Sequence, residues 1–200
     1  ALVDEIDLEG RRVRLWGGGG TGGGEGGIGE SGCIALDTPV NVLVGNAIET
    51  LTWKAIHLGE VLFSGDLRPN YVLRKPQTRT LNLHIVRVRV NWLYDIELRC
   101  SPRHPLITNF LDVQGRSVQT LRQGDFVLVS IDGHVTRKPI TEIIDTGEAA
   151  DVGTFSLYVG HVYSAGNARY RTRLHRLISG WCRRSVVGIL SHNLKAFESV

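Results

Sequence analysis

Three short stretches, far apart in the chain, carry residues that could do chemistry together. Cys33 follows a glycine-rich stretch, His104 lies in a proline-flanked turn at residues 101–105, and His192 precedes Asn193 near the end. A deprotonated cysteine is a strong nucleophile, and a histidine titrates near neutrality and can transfer a proton. Either residue alone is more often a packing or turn residue, but a cysteine and a histidine that meet in the fold are candidates for nucleophilic catalysis.

The cysteines are Cys33, Cys100 and Cys182, and no two of them have CxxC spacing. An odd set with this spacing predicts neither a disulfide framework nor a zinc site, and it leaves at least one free thiol. We expect no metal and no cofactor. By composition alone each cysteine is a small buried hydrophobe, and its place at a linker junction singles out Cys33.

Residues 33–40, 101–105, 154–166 and 188–193 together resemble the motifs of the Hint family, the self-processing domains of inteins, hedgehog autoprocessing modules and bacterial intein-like proteins. The resemblance implies an all-β, horseshoe-like fold with pseudo-twofold halves. It also implies that Cys33 attacks the carbonyl of Gly32 and converts the peptide bond into a thioester, which is easier to cleave. Glycine suits this place because it can adopt backbone angles that other residues avoid.

The same resemblance assigns roles to the two middle motifs. Ser101 would hold the scissile peptide by a hydrogen bond, and His104 would protonate the amide nitrogen that leaves Gly32. His161 matches the histidine of the third motif, with a hydrogen-bonded interior histidine as the alternative. Ser156 stands where many members have aspartate, so we do not carry over the proton shuttling assigned to that acid.

The closing motif ends in His192 and Asn193. In the family, the asparagine side chain attacks its own main-chain carbonyl, forms a succinimide and releases whatever follows, with the histidine as proton donor. Full splicing requires Cys, Ser or Thr at the next position, which here is Leu194. We therefore predict cleavage at one or both ends without ligation, and water, a thiol or an amine as the group that takes the thioester.

Between these motifs the sequence predicts short strands. Residues 85–90 and 94–99 alternate apolar and polar side chains, which is typical of two half-buried strands paired antiparallel. Further strands are predicted at residues 61–63, 106–110, 126–131, 140–144 and 155–163. The fold class read from the residues themselves is predominantly β.

The residues before Cys33 read as a separate flank. Residues 1–16 alternate in two short runs, which predicts a hairpin. Glycine dominates from Gly17 to Gly32, and such a stretch cannot bury enough apolar surface to offset its backbone entropy, so it predicts a flexible linker. We divide the chain into a flank at 1–32, a Hint domain at 33–193 and a second flank at 194–200.

Two further features concern the architecture. Residues 56–62 and 121–128 each place an apolar residue, two variable residues, glycine and an acid before a strand, which suggests two related halves. Residues 168–187 exceed the family pattern. Their apolar residues and arginines fit a basic amphipathic helix or a long hairpin, and a solvated insertion is favoured over a nucleic-acid contact.

The composition, 42% apolar and 22% charged, is that of an ordinary soluble chain. A net charge of +3 is too small to predict a nucleic-acid partner, and neither a signal peptide nor a membrane span is apparent. We expect a monomer whose partners are the flanking segments of its own polypeptide, without nucleic acid or membrane. The glycine-rich flank is reminiscent of phage tail and secreted multidomain proteins.

Three hypotheses follow. The first is a single-turnover, self-processing Hint domain. The second is a Hint domain that has lost its chemistry and serves as a structural β module in a larger phage tail or secreted protein. The third, a cysteine hydrolase acting on other molecules, is disfavoured because no acid is evident to orient His104 and because Cys33 lies at a linker junction.

Overall fold

A computed structural model of the protein describes residues 4–6, 12–14, 32–65, 70–111, 114–158, 161–172 and 185–192. In these ranges the regular structure is antiparallel strand, apart from two single-turn 3-10 helices, η1 (Trp53–Ala55) and η2 (Val118–Thr120). The all-β prediction is confirmed.

Nineteen strands follow one another along the described part of the chain. They are β1 (Asp4–Ile6), β2 (Arg12–Arg14), β3 (Ile34–Ala35), β4 (Pro39–Val44), β5 (Ala47–Thr52), β6 (Val61–Leu62), β7 (Asn70–Arg74), β8 (Gln77–Thr80), β9 (His84–Arg89), β10 (Tyr94–Cys100), β11 (Pro105–Leu106), β12 (Arg116–Ser117), β13 (Phe126–Ile131), β14 (His134–Asp145), β15 (Ala150–Gly153), β16 (Ser156–Tyr158), β17 (Val162–Ala165), β18 (Asn167–Tyr170) and β19 (Val187–His192).

The strands after the flank form two antiparallel networks that share β14. Residues 134–139 of β14 pair with β13, and residues 140–145 pair with β9. Pro139 ends the first ladder, since it has no N–H to donate, and the register shifts between Ile140 and Glu142 in the second. One continuous strand therefore connects both networks and fixes their relative position.

The core lies on the apolar side of the alternating strands. Val88 opposes Ile96 across β9 and β10, and both side chains are fully buried. On the other face, Arg87 Nε lies 2.9 Å from Glu97 Oε2 in a part-buried ion pair. The two strands predicted from this alternation are confirmed. Their register is fixed because one face of each strand is buried.

The N-terminal hairpin is confirmed as well, since β1 and β2 pair antiparallel with Glu5 opposite Val13. Residues 17–31 of the predicted linker lie outside the described residues. The division of the chain into a domain and two flanks stays a prediction.

Two strand predictions differ from the structure. Of residues 106–110, only Leu106 is strand, and it belongs to β11 (Pro105–Leu106). The Asn109 side chain accepts the Leu111 N–H at 2.8 Å, and this bond turns the chain where the strand was predicted to continue. Residues 155–163 divide into β16 and β17.

The helix considered for residues 168–187 is wrong for their first part. Residues 168–170 belong to β18, in which Ala168 pairs with Ile96 of β10. The strand gains a ladder of backbone hydrogen bonds and packs the half-buried Ala168 and Tyr170 against the core, which overrides helical periodicity over so few residues. Residues 173–184 lie outside the described part.

The internal repeat at residues 56–62 and 121–128 has the same backbone in both copies. In the first copy the Gly59 N–H donates to Val72 O at 2.8 Å, and the Val72 N–H donates to Glu60 O at 2.9 Å. The Gly59 φ is 86°, a left-handed conformation that favours glycine.

In the second copy the Gly124 N–H donates to Ile140 O at 2.8 Å, and the Ile140 N–H donates to Asp125 O at 2.7 Å. The Gly124 φ is 93°. In each copy the acid also accepts the backbone N–H three residues earlier, at 3.0 Å. The seven-residue similarity therefore marks two structurally equivalent halves, as predicted.

Candidate active site

The backbone of Cys33 makes two hydrogen bonds to Ser101, the residue that follows β10. Its N–H donates to Ser101 Oγ at 3.1 Å, and its carbonyl oxygen accepts the Ser101 N–H at 2.9 Å. The next residue, Ile34, pairs with Cys100 of β10 and with Gly153 of β15, so the start of β3 lies between two strands. The side chain of Cys33 is 1% exposed. Ser101 thus holds both backbone groups of the candidate nucleophile.

His104 lies in the tight turn that leads from β10 into β11. Its N–H donates to Ser101 O at 3.0 Å, and its carbonyl oxygen accepts the Val118 N–H at 3.0 Å. The side chain is fully buried, and neither ring nitrogen reaches a partner with hydrogen-bond geometry within the described residues. Backbone hydrogen bonds therefore hold His104 in the turn, and the two ring nitrogens take no part in holding it.

Burial lowers the pKa of His104 from 6.5 to about 4. The adjacent Gly32 backbone favours the protonated ring and opposes this shift, whereas the charge of His192 adds to it. The expectation that His104 titrates near neutrality is therefore wrong, because a buried site disfavours the imidazolium ion. The ring is neutral at pH 7 and must gain a proton before it can donate one.

Gly32 lies against the His104 turn. The residue is buried, and a Cβ at this position would be 2.2 Å from Pro105 Cδ and 2.9 Å from His104 Cα. The reason for glycine is thus the close approach of the two chain segments, in place of the unusual backbone angles that we expected. The turn at residues 101–105 therefore contacts both ends of the Gly32–Cys33 peptide bond, through Ser101 at Cys33 and through His104 and Pro105 at Gly32.

The strand β19 brings His192 to the same region. Ser191 pairs with Leu106 of β11, so the closing motif runs beside the strand that follows His104. The ring centroids of His192 and His161 are 5.7 Å apart. The structure therefore brings Cys33, Ser101, His104, His161 and His192 into one region. Asn193 and Leu194 lie outside the described residues.

Tyr163 is a site neighbour that sequence reasoning missed. Its ring meets the edge of the His104 ring, with centroids 6.4 Å apart, and its hydroxyl has no hydrogen-bond partner in the described part of the chain. Burial, with smaller contributions from Cys33 and Cys100, raises its pKa well above the ordinary value, so the phenol stays protonated. A tyrosine in an apolar strand has the pattern of a core residue, so the sequence contained no signal for it.

The other residues considered for the site have plainer places. Cys100 is a fully buried free thiol whose pKa burial raises, which suits a packing residue. Ser156 lies half-buried in β16, and Cys182 is outside the described ranges.

Within the described residues, no three His, Cys, Asp or Glu side chains are grouped so that they could hold a metal ion. The same residues contain no helix with the length and apolar character needed to span a membrane.

Comparison with known proteins agrees with this geometry at the level of fold. No protein-family model matches the chain, and no curated protein sequence matches it. Solved structures do match. The gp41-1 intein superposes with a TM-score of 0.54 at 17% identity, covering 81% of this chain and 98% of that chain.

Two further structures give the same result. A DnaB intein from Synechocystis has a TM-score of 0.58 at 13% identity, covering 82% of this chain and 99% of its own. A bacterial intein-like domain from Clostridium thermocellum has a TM-score of 0.53 at 15% identity, covering 80% and 98%. The resemblance predicted from the motifs is confirmed as a shared architecture, and the chain has the fold of inteins and bacterial intein-like domains.

Proposed function

We propose that the protein is a single-turnover, self-processing domain that cleaves its own chain at Gly32–Cys33. One observation carries the proposal. Ser101 holds both backbone groups of Cys33, while His104 and Pro105 of the same turn lie against Gly32 at the other end of the peptide bond. Fixed placement of this kind replaces a bimolecular encounter and can supply effective molarities of about 10⁵ M or more.

The order of proton transfers follows from the state of His104. The ring is neutral at pH 7, so it first takes the proton of the Cys33 thiol, and the thiolate then attacks the Gly32 carbonyl carbon. The carbon–sulfur bond forms, the carbon–nitrogen bond breaks, and His104 returns its proton to the departing nitrogen. The products are a thioester at Gly32 and a free amino group on Cys33. Water, a thiol or an amine then takes the acyl group.

Thiol-induced release of the N-terminal flank tests this step. Intact mass spectrometry of the fresh protein with dithiothreitol should show loss of residues 1–32, and Cys33→Ala should abolish the loss. Cys100→Ala is the matched control, since it removes a second buried thiol from the adjoining strand, and cleavage should persist. Release from the Cys33→Ala protein would contradict the thioester route.

At the other end we propose that Asn193 cyclises and releases residues 194–200, with His192 donating the proton. The pairing of Ser191, the residue before His192, with Leu106 of β11 supports this step, because it brings the closing motif beside the His104 turn. Because Leu194 carries no nucleophile, the two cleavages should be independent and the flanks should not be ligated. Cys33→Ala should then still lose the final seven residues, whereas Asn193→Ala should keep them. A Cys33→Ala protein that keeps its tail while the parent loses it would show that the steps are coupled.

A structural β module without chemistry is the second candidate function. It is favoured by Ser156, which stands where an acid is common in the family. The same mass measurement separates the two candidates, because only self-processing changes the mass. In both cases we propose that the domain acts as a monomer on its own flanks, without nucleic acid or membrane.

A further inference from the structure

We infer that Pro105 and the His104 backbone form a seat that accepts only glycine immediately before Cys33. The inference rests on the proposed function, since it names the chain that the site can process. Pro105 thereby becomes a specificity-determining residue.

The approach leaves no room for a side chain at position 32. A Cβ there would lie 2.2 Å from Pro105 Cδ, 2.9 Å from His104 Cα and 3.2 Å from Pro105 N. Carbon atoms in contact are ordinarily about 3.5–4.0 Å apart, so these separations are well inside contact distance. Because Cβ is common to all residues except glycine, the exclusion does not depend on which larger residue is chosen.

The seat cannot give way easily. Pro105 is buried, its ring has one fixed φ, and it pairs with Ser117 in the β11–β12 ladder. The His104 backbone makes hydrogen bonds through both its N–H and its carbonyl oxygen. Two of the three close contacts are with backbone atoms, which cannot change rotamer as the end of a flexible side chain can.

The displaced residue would move the reacting carbonyl. The Cys33 backbone is held by two hydrogen bonds to Ser101, so a clash at residue 32 cannot be relieved by moving Cys33. The residue 32 carbonyl would instead turn away from both the thiol and the His104 ring. A displacement of about 1 Å is enough to cost about a hundredfold in rate.

The other half of the fold supplies a matched control for Pro105. Pro39 follows the equivalent turn of the first half and begins β4, as Pro105 begins β11. Pro39→Ala makes the same replacement in the same backbone setting away from Gly32. Any effect that it has on cleavage measures general loosening of the turn.

The test is a double-mutant cycle on the parent chain. Gly32→Ala, Pro105→Ala and the double variant are compared for the rate at which dithiothreitol releases residues 1–32, followed by intact mass. Gly32→Ala should slow release about a hundredfold or more. In the Pro105→Ala background the same replacement should cost about tenfold or less, because the closest contact is gone while the one with His104 Cα remains. Pro39→Ala should not relieve the penalty.

The outcomes separate this inference from the proposed function. An active parent whose Gly32→Ala variant is equally fast overturns the seat alone, as does a Gly32→Ala penalty that Pro105→Ala leaves unchanged. A parent that is folded by circular dichroism yet releases nothing overturns the proposed function, and the seat as a specificity device with it. Circular dichroism of each variant shows whether a slower release is caused by loss of the fold. The inference requires that the double variant release the flank faster than Gly32→Ala does.

Discussion

The turn at residues 35–39 and the turn at residues 101–105 occupy equivalent places in the two halves of the molecule. In the first, the Thr38 N–H donates to Ala35 O at 2.9 Å, and Thr38 O accepts the Trp53 N–H at 3.0 Å. A tryptophan at the start of η1 thus closes the first turn.

In the second turn the His104 N–H donates to Ser101 O at 3.0 Å, and His104 O accepts the Val118 N–H at 3.0 Å. The backbone pattern is the same as in the first turn, and η2 takes the place of η1. The side chains differ. The first turn presents the hydroxyl of Thr38, which bonds Arg99 O at 3.4 Å, and the second presents an imidazole against Gly32.

This difference separates what the fold requires from what the chemistry requires. The hydrogen bonds that define each turn are made by backbone groups, so either side chain is compatible with it. The backbone of Cys33 is hydrogen-bonded to Ser101 of the second turn. The duplicated architecture therefore provides two equivalent frames, and we expect chemistry from the one that carries His104.

The largest expected effect comes from removing the side chain that distinguishes the turns. His104→Ala should slow thiol-induced release of the N-terminal flank about a hundredfold or more, the usual contribution of a general acid–base group. Thr38→Ala is the equivalent change in the other half. It should leave the release rate unchanged and lower the free energy of unfolding by about 1 kcal/mol through the lost hydrogen bond. Equal rates for the two variants would remove His104 from the reaction.

The comparison can be sharpened by pH, with Cys33→Ala as the background so that the N-terminal flank stays attached. The folded-state pKa of His104, about 4, lies below the ordinary 6.5, so the unfolded chain binds more protons between these values. The free energy of unfolding should therefore fall as pH decreases through this window, by about 3 kcal/mol at pH 4.

His104→Thr gives the second turn the residue type that the first turn has at Thr38. It should remove the part of the pH dependence of the unfolding free energy that is due to His104. Urea unfolding at about pH 7 and about pH 4 measures both proteins, and the other histidines are common to them. Parallel pH profiles for the two proteins would mean that His104 is not held neutral by burial.

Much of this architecture could be predicted from the residues. Strict alternation at residues 85–90 and 94–99 identified β9 and β10, because a sheet with one buried face imposes period two on its sequence. The glycine and the acid of the repeat allowed two related halves to be predicted for a similar reason, since a positive φ and a side-chain hydrogen bond each restrict the residue type.

The rest depended on contacts between distant segments. The space around Gly32, the depth at which His104 is buried and the position of Tyr163 against its ring are set by tertiary packing, which leaves no local mark on the sequence. Helix and hairpin stayed open for the residues of β18, because four residues hold too little periodicity to distinguish a strand from a helix.

The smallest expected effect tests whether the two halves are equivalent outside the turns. Gly59 and Gly124 have φ of 86° and 93°, and no atom lies within 4 Å of a Cβ at either position. Replacement by alanine therefore costs only backbone strain, on the order of 1–2 kcal/mol, and the two costs should agree within about 0.5 kcal/mol. Asparagine tolerates the left-handed region better, so Gly59→Asn and Gly124→Asn should each cost less than the alanine variant. Chemical denaturation in the Cys33→Ala background measures all four variants, and two alanine costs that differ by more than about 1 kcal/mol would show that the shared hydrogen-bond pattern conceals unequal strain in the two halves.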